Sequence, residues 1–169
     1  MRIDPKISRA TRDLFDAATD GDLEKIPPIM DSLSEDERGM CAQLCVLTAG
    51  HVTLALVHNQ WPNEPTLRQV SKNLADAKLR VALPEDDVYV FLGRVVFGFE
   101  NIEQVFPDLG QGFMTTVLVT ANLLLVCCPE GKTIWEYMNE IEDAVEVTSE
   151  LPTHVIPSAV YRSRVPGQG

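Results

Sequence analysis

The sequence predicts an all-α protein: one multi-helix bundle of six to eight helices over residues 1–150, built around two central apolar helices and followed by an irregular segment, residues 151–169. Three observations lead there. Two long runs, Gly39–Asn63 and Phe113–Cys128, contain no Asp, Glu, Lys or Arg, which marks helices covered on all sides by neighbours. Elsewhere the apolar residues recur at three-four spacing rather than in alternation. Helix-start chemistry precedes several of these stripes.

Taken in order, Asp4 to about Ala18 reads as a first helix, with Ile7, Leu14 and Phe15 on one side and Arg2, Lys6 and Arg9 on another. Asp20-Gly21-Asp22 opens a short second helix, and Pro27-Pro28, lacking amide donors, is expected to bend or end it. Ser34-Glu35-Asp36-Glu37 has the form of a capping box and starts a helix running to about His58, stopped by Trp61-Pro62-Asn63. Thr66 to about Arg80 is amphipathic, with Leu67, Val70, Leu74 and Ala77 inward. Pro84-Glu85-Asp86-Asp87 begins the next helix. Its continuation to Phe97 is rich in β-branched and aromatic residues, but Val88, Phe91, Leu92, Val95 and Val96 keep helical spacing. Pro107 to Gly112 is expected as a loop before the second charge-free run. Thr133 and Glu136 form a second capping-box pair, starting an acidic helix to about Val147 with Ile134, Met138, Ile141 and Val145 buried. Three prolines and two glycines in residues 151–169 argue against regular structure there.

Composition bounds the function. The chain carries 25 acids against 14 bases, a net charge of −11, the opposite of the basic footprint that nucleic-acid binding needs. Neither charge-free run is flanked by an aromatic and basic belt, and both hold polar residues, so no membrane insertion is expected. The first residues lack an apolar signal region, and Cys41, Cys45, Cys127 and Cys128 lie within apolar helical runs. Reduced, buried thiols in a cytoplasmic protein are the expectation.

No catalytic motif, metal set or cofactor fingerprint emerges. Cys41, Cys45, His51 and His58 are metal-type ligands on one helix. His51 and His58, however, lie about 10 Å apart along the axis and well around it from the cysteines, so one tetrahedral site cannot gather them. Carboxylates at four-residue spacing on the last helix suggest a di-iron bundle, but the Glu-x-x-His partner motif is absent. Thr66–Leu74 has the composition of a DNA-recognition helix without the short turn and companion helix that should precede it. Gly110-Gln111-Gly112 is a weak anion-loop signal and reads as a turn.

Two functional readings follow. The first is a non-enzymatic binding or regulatory protein, of immunity, antitoxin or adaptor type, that meets a protein partner through an acidic surface. Glu136, Glu140 and Asp143 mark that surface, and the segment 151–169, which has Arg162 and Arg164 and no acid, adds Tyr161, Arg162 and Arg164. With Val155, Ile156, Val160 and Tyr161 as apolar anchors, that segment suits docking on its own body or on a neighbouring subunit. Ala42, Ala49, Gly50 and Ala55 would equally allow two copies of the first charge-free helix to approach closely. The alternative is a small-molecule binder or enzyme with a pocket between the central helices, where His51, Thr48, Thr120 and Asn122 supply the polar groups.

Overall fold

The computed structural model describes residues 2–150. Among them are eight α-helices and no strand. α1 (Pro5–Asp20) starts where the Asp4 carboxylate accepts from the Lys6 amide and where Pro5 needs no donor. It ends at Gly21, whose φ of 78° is open to glycine, and the Asp22 amide bonds back to the Ala17 carbonyl at 2.9 Å. A 3-10 turn, Leu23–Lys25, leads into α2 (Ile26–Asp31). Pro27 and Pro28 therefore stand inside the first turn of α2 rather than breaking a helix. The amides they lack are among those that a helix start leaves unbonded in any case.

α3 (Glu35–Leu56) carries the expected capping box in full: Ser34 accepts from the Glu37 amide and Glu37 accepts from the Ser34 amide. α4 (Glu64–Asp76) begins two residues before the expected Thr66, because the Asn63 side chain is its cap and Pro65 fits its first turn. It stops at Asp76, with Ala77 extended, so the stretch to Arg80 is not helical. α5 (Glu85–Val90) runs directly into a π-helical turn, Phe91–Val96. The strand alternative is thereby excluded, and the wide turn shows in the Phe97 amide bonding the Leu92 carbonyl five residues back at 2.9 Å. α6 (Ile102–Val105) is a single turn without a clear periodic signal.

α7 (Leu109–Cys127) starts earlier than expected, capped by the Asp108 carboxylate on the Gln111 amide at 3.1 Å. Gly110-Gln111-Gly112 is thus the first turn of a helix, not a loop. A Cβ on Gly112 would stand 2.8 Å from Phe106 Cβ and 2.9 Å from Ile102 Cγ2, so its missing side chain is what lets α6 seat against α7. α8 (Ile134–Glu150) follows the second capping box, with Thr133 and Glu136 bonding each other's amides at 3.1 and 3.0 Å.

α7 is the axis of the bundle. It packs between α1 and α3 and meets α4, α5 and α6 on its remaining sides. Its middle, Thr116 to Leu124, is buried at every residue except the half-buried Leu118. Each large apolar side chain so enclosed contributes about 1.5–3 kcal/mol relative to exposure. α3 departs from the expectation of all-round cover. Its inner arc, including Cys41, Leu44, Cys45, Ala49 and Val52, is buried, while Gly39, Met40 and Gln43 are exposed and Val46, Leu47 and Leu54 are half-buried. Both helices are long and apolar enough to cross a bilayer, and 44% and 56% of their most apolar windows are buried within the fold.

α8 lies antiparallel along α1, and its acids divide into two sets. Glu146 accepts from the Ile3 amide at 2.8 Å, and Glu142 accepts from Ser8 and pairs with Arg12 at 3.0 Å. These carboxylates join helices rather than belonging to a solvated ridge. The uncharged interior holds one anomaly among the described residues: the Thr53 hydroxyl is buried without a hydrogen-bond partner. An unsatisfied buried hydroxyl costs about 1–3 kcal/mol. Thr53→Val, which keeps the shape and removes the oxygen, is expected to raise stability by about 1 kcal/mol, measured by urea unfolding at constant slope.

Candidate functional site

Three of the four polar groups expected between the central helices are buried and engaged. Thr48, fully buried, donates to the Leu44 carbonyl at 2.7 Å. Thr120 crosses from α7 to the Cys45 carbonyl of α3 at 3.3 Å. Asn122 donates to the Leu118 carbonyl at 2.8 Å. Three of the four thus spend their donors on helix carbonyls, and Thr120 alone bridges α7 and α3. His51 is half-buried on α3, and desolvation pushes its pKa below the usual imidazole range.

The sign of that shift gives a test. The unfolded chain binds a proton at His51 more readily than the folded one, so stability rises with pH through the window between the folded and unfolded pKa values. Acidification from neutral toward pH about 5 is expected to lower the Tm more in the native sequence than in His51→Gln. Parallel Tm–pH curves for the two proteins would contradict this.

The cysteines occupy two environments. Cys41 and Cys45 are buried in α3, and burial pushes both thiols upward, Cys45 far beyond the ordinary range. Cys127 and Cys128 are only half-buried at the end of α7, where full burial was expected. The helix there is giving way to the Pro129–Lys132 turn, and Cys128 Sγ lies 3.4 Å from the Lys132 carbonyl. His58 sits past the end of α3 with φ 56° and is exposed. Among the described residues no group of three His, Cys, Asp or Glu side chains is placed to hold a metal ion.

On α4, Arg68 pairs with Asp86 at 3.0 Å and its guanidinium stacks 3.6 Å over the Tyr89 ring, which ties it to α5. Of the acids expected to face a partner, Glu136 is committed to the start of α8 and Glu140 is held by Lys132 at 2.6 Å. Asp143 is exposed. Tyr161, Arg162 and Arg164 lie outside the described residues.

A different acidic surface comes from α1. Asp13, Asp16 and Asp20, spaced three and four apart, are all exposed on one stripe. Asp20 reaches Arg80 at 3.7 Å. Asp16 has its pKa raised, first by partial burial and then by the charges of Asp20 and Asp13. Two shallow clefts share this wall. One, of about 470 Å³, is lined by Asp13 and Asp16 together with Arg9, Arg12 and Trp135. The other, of about 480 Å³, is lined by Asp13, Asp16, Asp20 and Glu24 with Lys25, Ala17, Pro28 and Ile29. Trp135 is held under the Arg12 guanidinium at 5.6 Å. None of His51, Thr48, Thr120 and Asn122 lines either cleft.

The sequence signal for this surface was the Asp13-x-x-Asp16-x-x-x-Asp20 spacing, legible as one face of a helix. Its join to Trp135 depends on α8 folding back along α1, which spacing does not reveal. Comparisons with protein-family models, with curated proteins and with solved structures returned no match.

Proposed function

We propose that this chain is a non-enzymatic, cytoplasmic binding protein that engages a basic segment of a protein partner through the acidic wall of α1. The supporting observation is the crowding of Asp13, Asp16 and Asp20 on one face of α1, with Asp13 and Asp16 lining both clefts and Asp20 the second. Like charges at helical spacing of four destabilise a helix by about 0.2–0.5 kcal/mol, a cost that a cationic side chain arriving from a partner removes. Trp135 in the first cleft, and Pro28 and Ile29 in the second, supply apolar surface beside the carboxylates, as Lys and Arg stems require. Glu136, Glu140 and Asp143 on α8 extend the acidic character beyond Trp135 in this reading, and two of the three already hold internal partners. In the same reading α3 and α7 serve as core helices of a soluble protein and nucleic acid is not the partner.

The test is a titration with a fluorescein-labelled peptide rich in Arg and Lys, followed by anisotropy at low and at physiological ionic strength. Saturable binding is expected, weakened about tenfold by Asp13→Asn with Asp16→Asn, on the order of 1.4 kcal/mol. The same double variant should be slightly more stable than the native protein. Equal affinity of the variant, or no saturation at low salt, would remove the reading.

A further inference from the structure

A third cleft lies on the flank of α3 turned away from α1. Cys41 faces the Ile7 carbonyl of α1, and Gly39 is roughly 160° around the helix from it. Here a groove of about 460 Å³ is floored by Met30, Ala42, Ile102 and Phe113. Leu109 on its rim is 59% exposed and the neighbouring Met40 is 52% exposed. Glu35 of α3 and Glu103 of α6, both exposed, also line it. The basic side chain on the wall, Arg38, is turned onto the Met30 and Leu33 carbonyls at 3.4 and 3.2 Å. The groove therefore combines half-buried apolar side chains with two exposed carboxylates and the one guanidinium of Arg38.

The chain leaves α8 near the end of α3 that carries this groove. Glu146, one turn before the last residue of α8, accepts from the Ile3 amide, and Lys6 of α1 pairs with Glu37 in the first turn of α3 at 2.7 Å. From Glu150 to Val155 an extended chain spans about 17 Å. That is enough to pass around a helix about 10–12 Å across. Residues 155–164 carry Val155, Ile156, Val160 and Tyr161, then Arg162 and Arg164, with no acid. Apolar side chains match the floor and two guanidiniums match two carboxylates.

We propose that residues 155–164 of the same chain occupy this groove, the apolar side chains on the Met30–Phe113 floor and the arginines against Glu35 and Glu103. This is a face other than the acidic wall of α1, so either proposal can fail alone. The test uses the full chain with Tyr161 replaced by p-benzoylphenylalanine, irradiated and digested for mass spectrometry. Cross-links at monomer mass to peptides carrying Met30 or Leu109–Phe113 are the expected result. A Cβ at Gly39 meets nothing within 4 Å, and Gly39→Arg adds a like charge at the groove. It should cut the cross-link yield about tenfold with the circular dichroism spectrum unchanged. Cross-links found only at dimer mass would place a second copy in the groove and overturn the proposal. So would cross-links to another surface, none at all, or a yield that Gly39→Arg leaves unaltered.

Discussion

Phe91→Ala is expected to destabilise the protein by about 3–5 kcal/mol, the range for emptying an aromatic site in a closed core. Phe91 is fully buried at the point where α5 passes into the π-helical turn. Leu92 and Val88 beside it are equally enclosed, and α5 and the π turn both pack against the rest of the bundle. Relaxation into the gap would have to move a π turn whose amide pattern is already displaced by one residue, so the site collapses poorly. Domains of this size are stable by about 5–15 kcal/mol in total, and a chain of 150–250 residues loses about 2–4 °C in Tm per kcal/mol. Thermal unfolding followed by circular dichroism checks this. A loss under 1 kcal/mol would mean that Phe91 is less enclosed than described.

Gly98→Ala is expected to cost about 3 kcal/mol for one added methyl group. A Cβ at Gly98 would lie 2.6 Å from the Arg94 carbonyl oxygen and 2.7 Å from that of Gly93. Both are backbone atoms, so no side-chain rotation relieves the overlap. The Arg94 carbonyl also accepts the Glu100 amide at 2.9 Å, and the Arg94 side chain pairs with Glu100 at 2.7 Å, so the clash falls on the turn that closes the π segment. Gly39→Ala is the control: its Cβ enters open space in the first part of α3, where alanine is favoured over glycine by about 1 kcal/mol. Urea midpoints of the two variants should therefore shift in opposite directions. A Gly98→Ala protein as stable as the native one would show that the turn can rearrange.

The elements most legible in the sequence were those whose cause is local. Ser34 with Glu37, and Thr133 with Glu136, each close a capping box within four residues, and both boxes are present as read. Of the expected stripes, Met138, Ile141 and Val145 are buried and Ile134 at the helix start is half-buried; Leu67, Val70 and Leu74 are buried and Ala77, past the end of α4, is half-buried. Proline and glycine were harder because their meaning depends on position. Pro27-Pro28 and Pro65 begin helices rather than ending them, and Gly112 serves contact with Phe106 rather than a turn. The candidate sites were least legible. That Glu142 bonds to α1 and Glu146 to Ile3 just before it, while Asp13 and Asp16 share a wall with Trp135, depends on segments 120 or more residues apart in the chain.

The sequence by itself determined the all-helical class, the caps and the inward stripes, since these arise from contacts within one or two turns. It also marked α7 as central, because a helix without charge on any face is stable only when covered on every face. Only the tertiary structure decided that α3, free of charge from Gly39 onward, is fully covered on its inner arc alone. Cover is a property of the neighbours. α1, α7 and the π turn close the inner arc of α3, and among the described residues Gly39, Met40 and Gln43 are left exposed on its outer side.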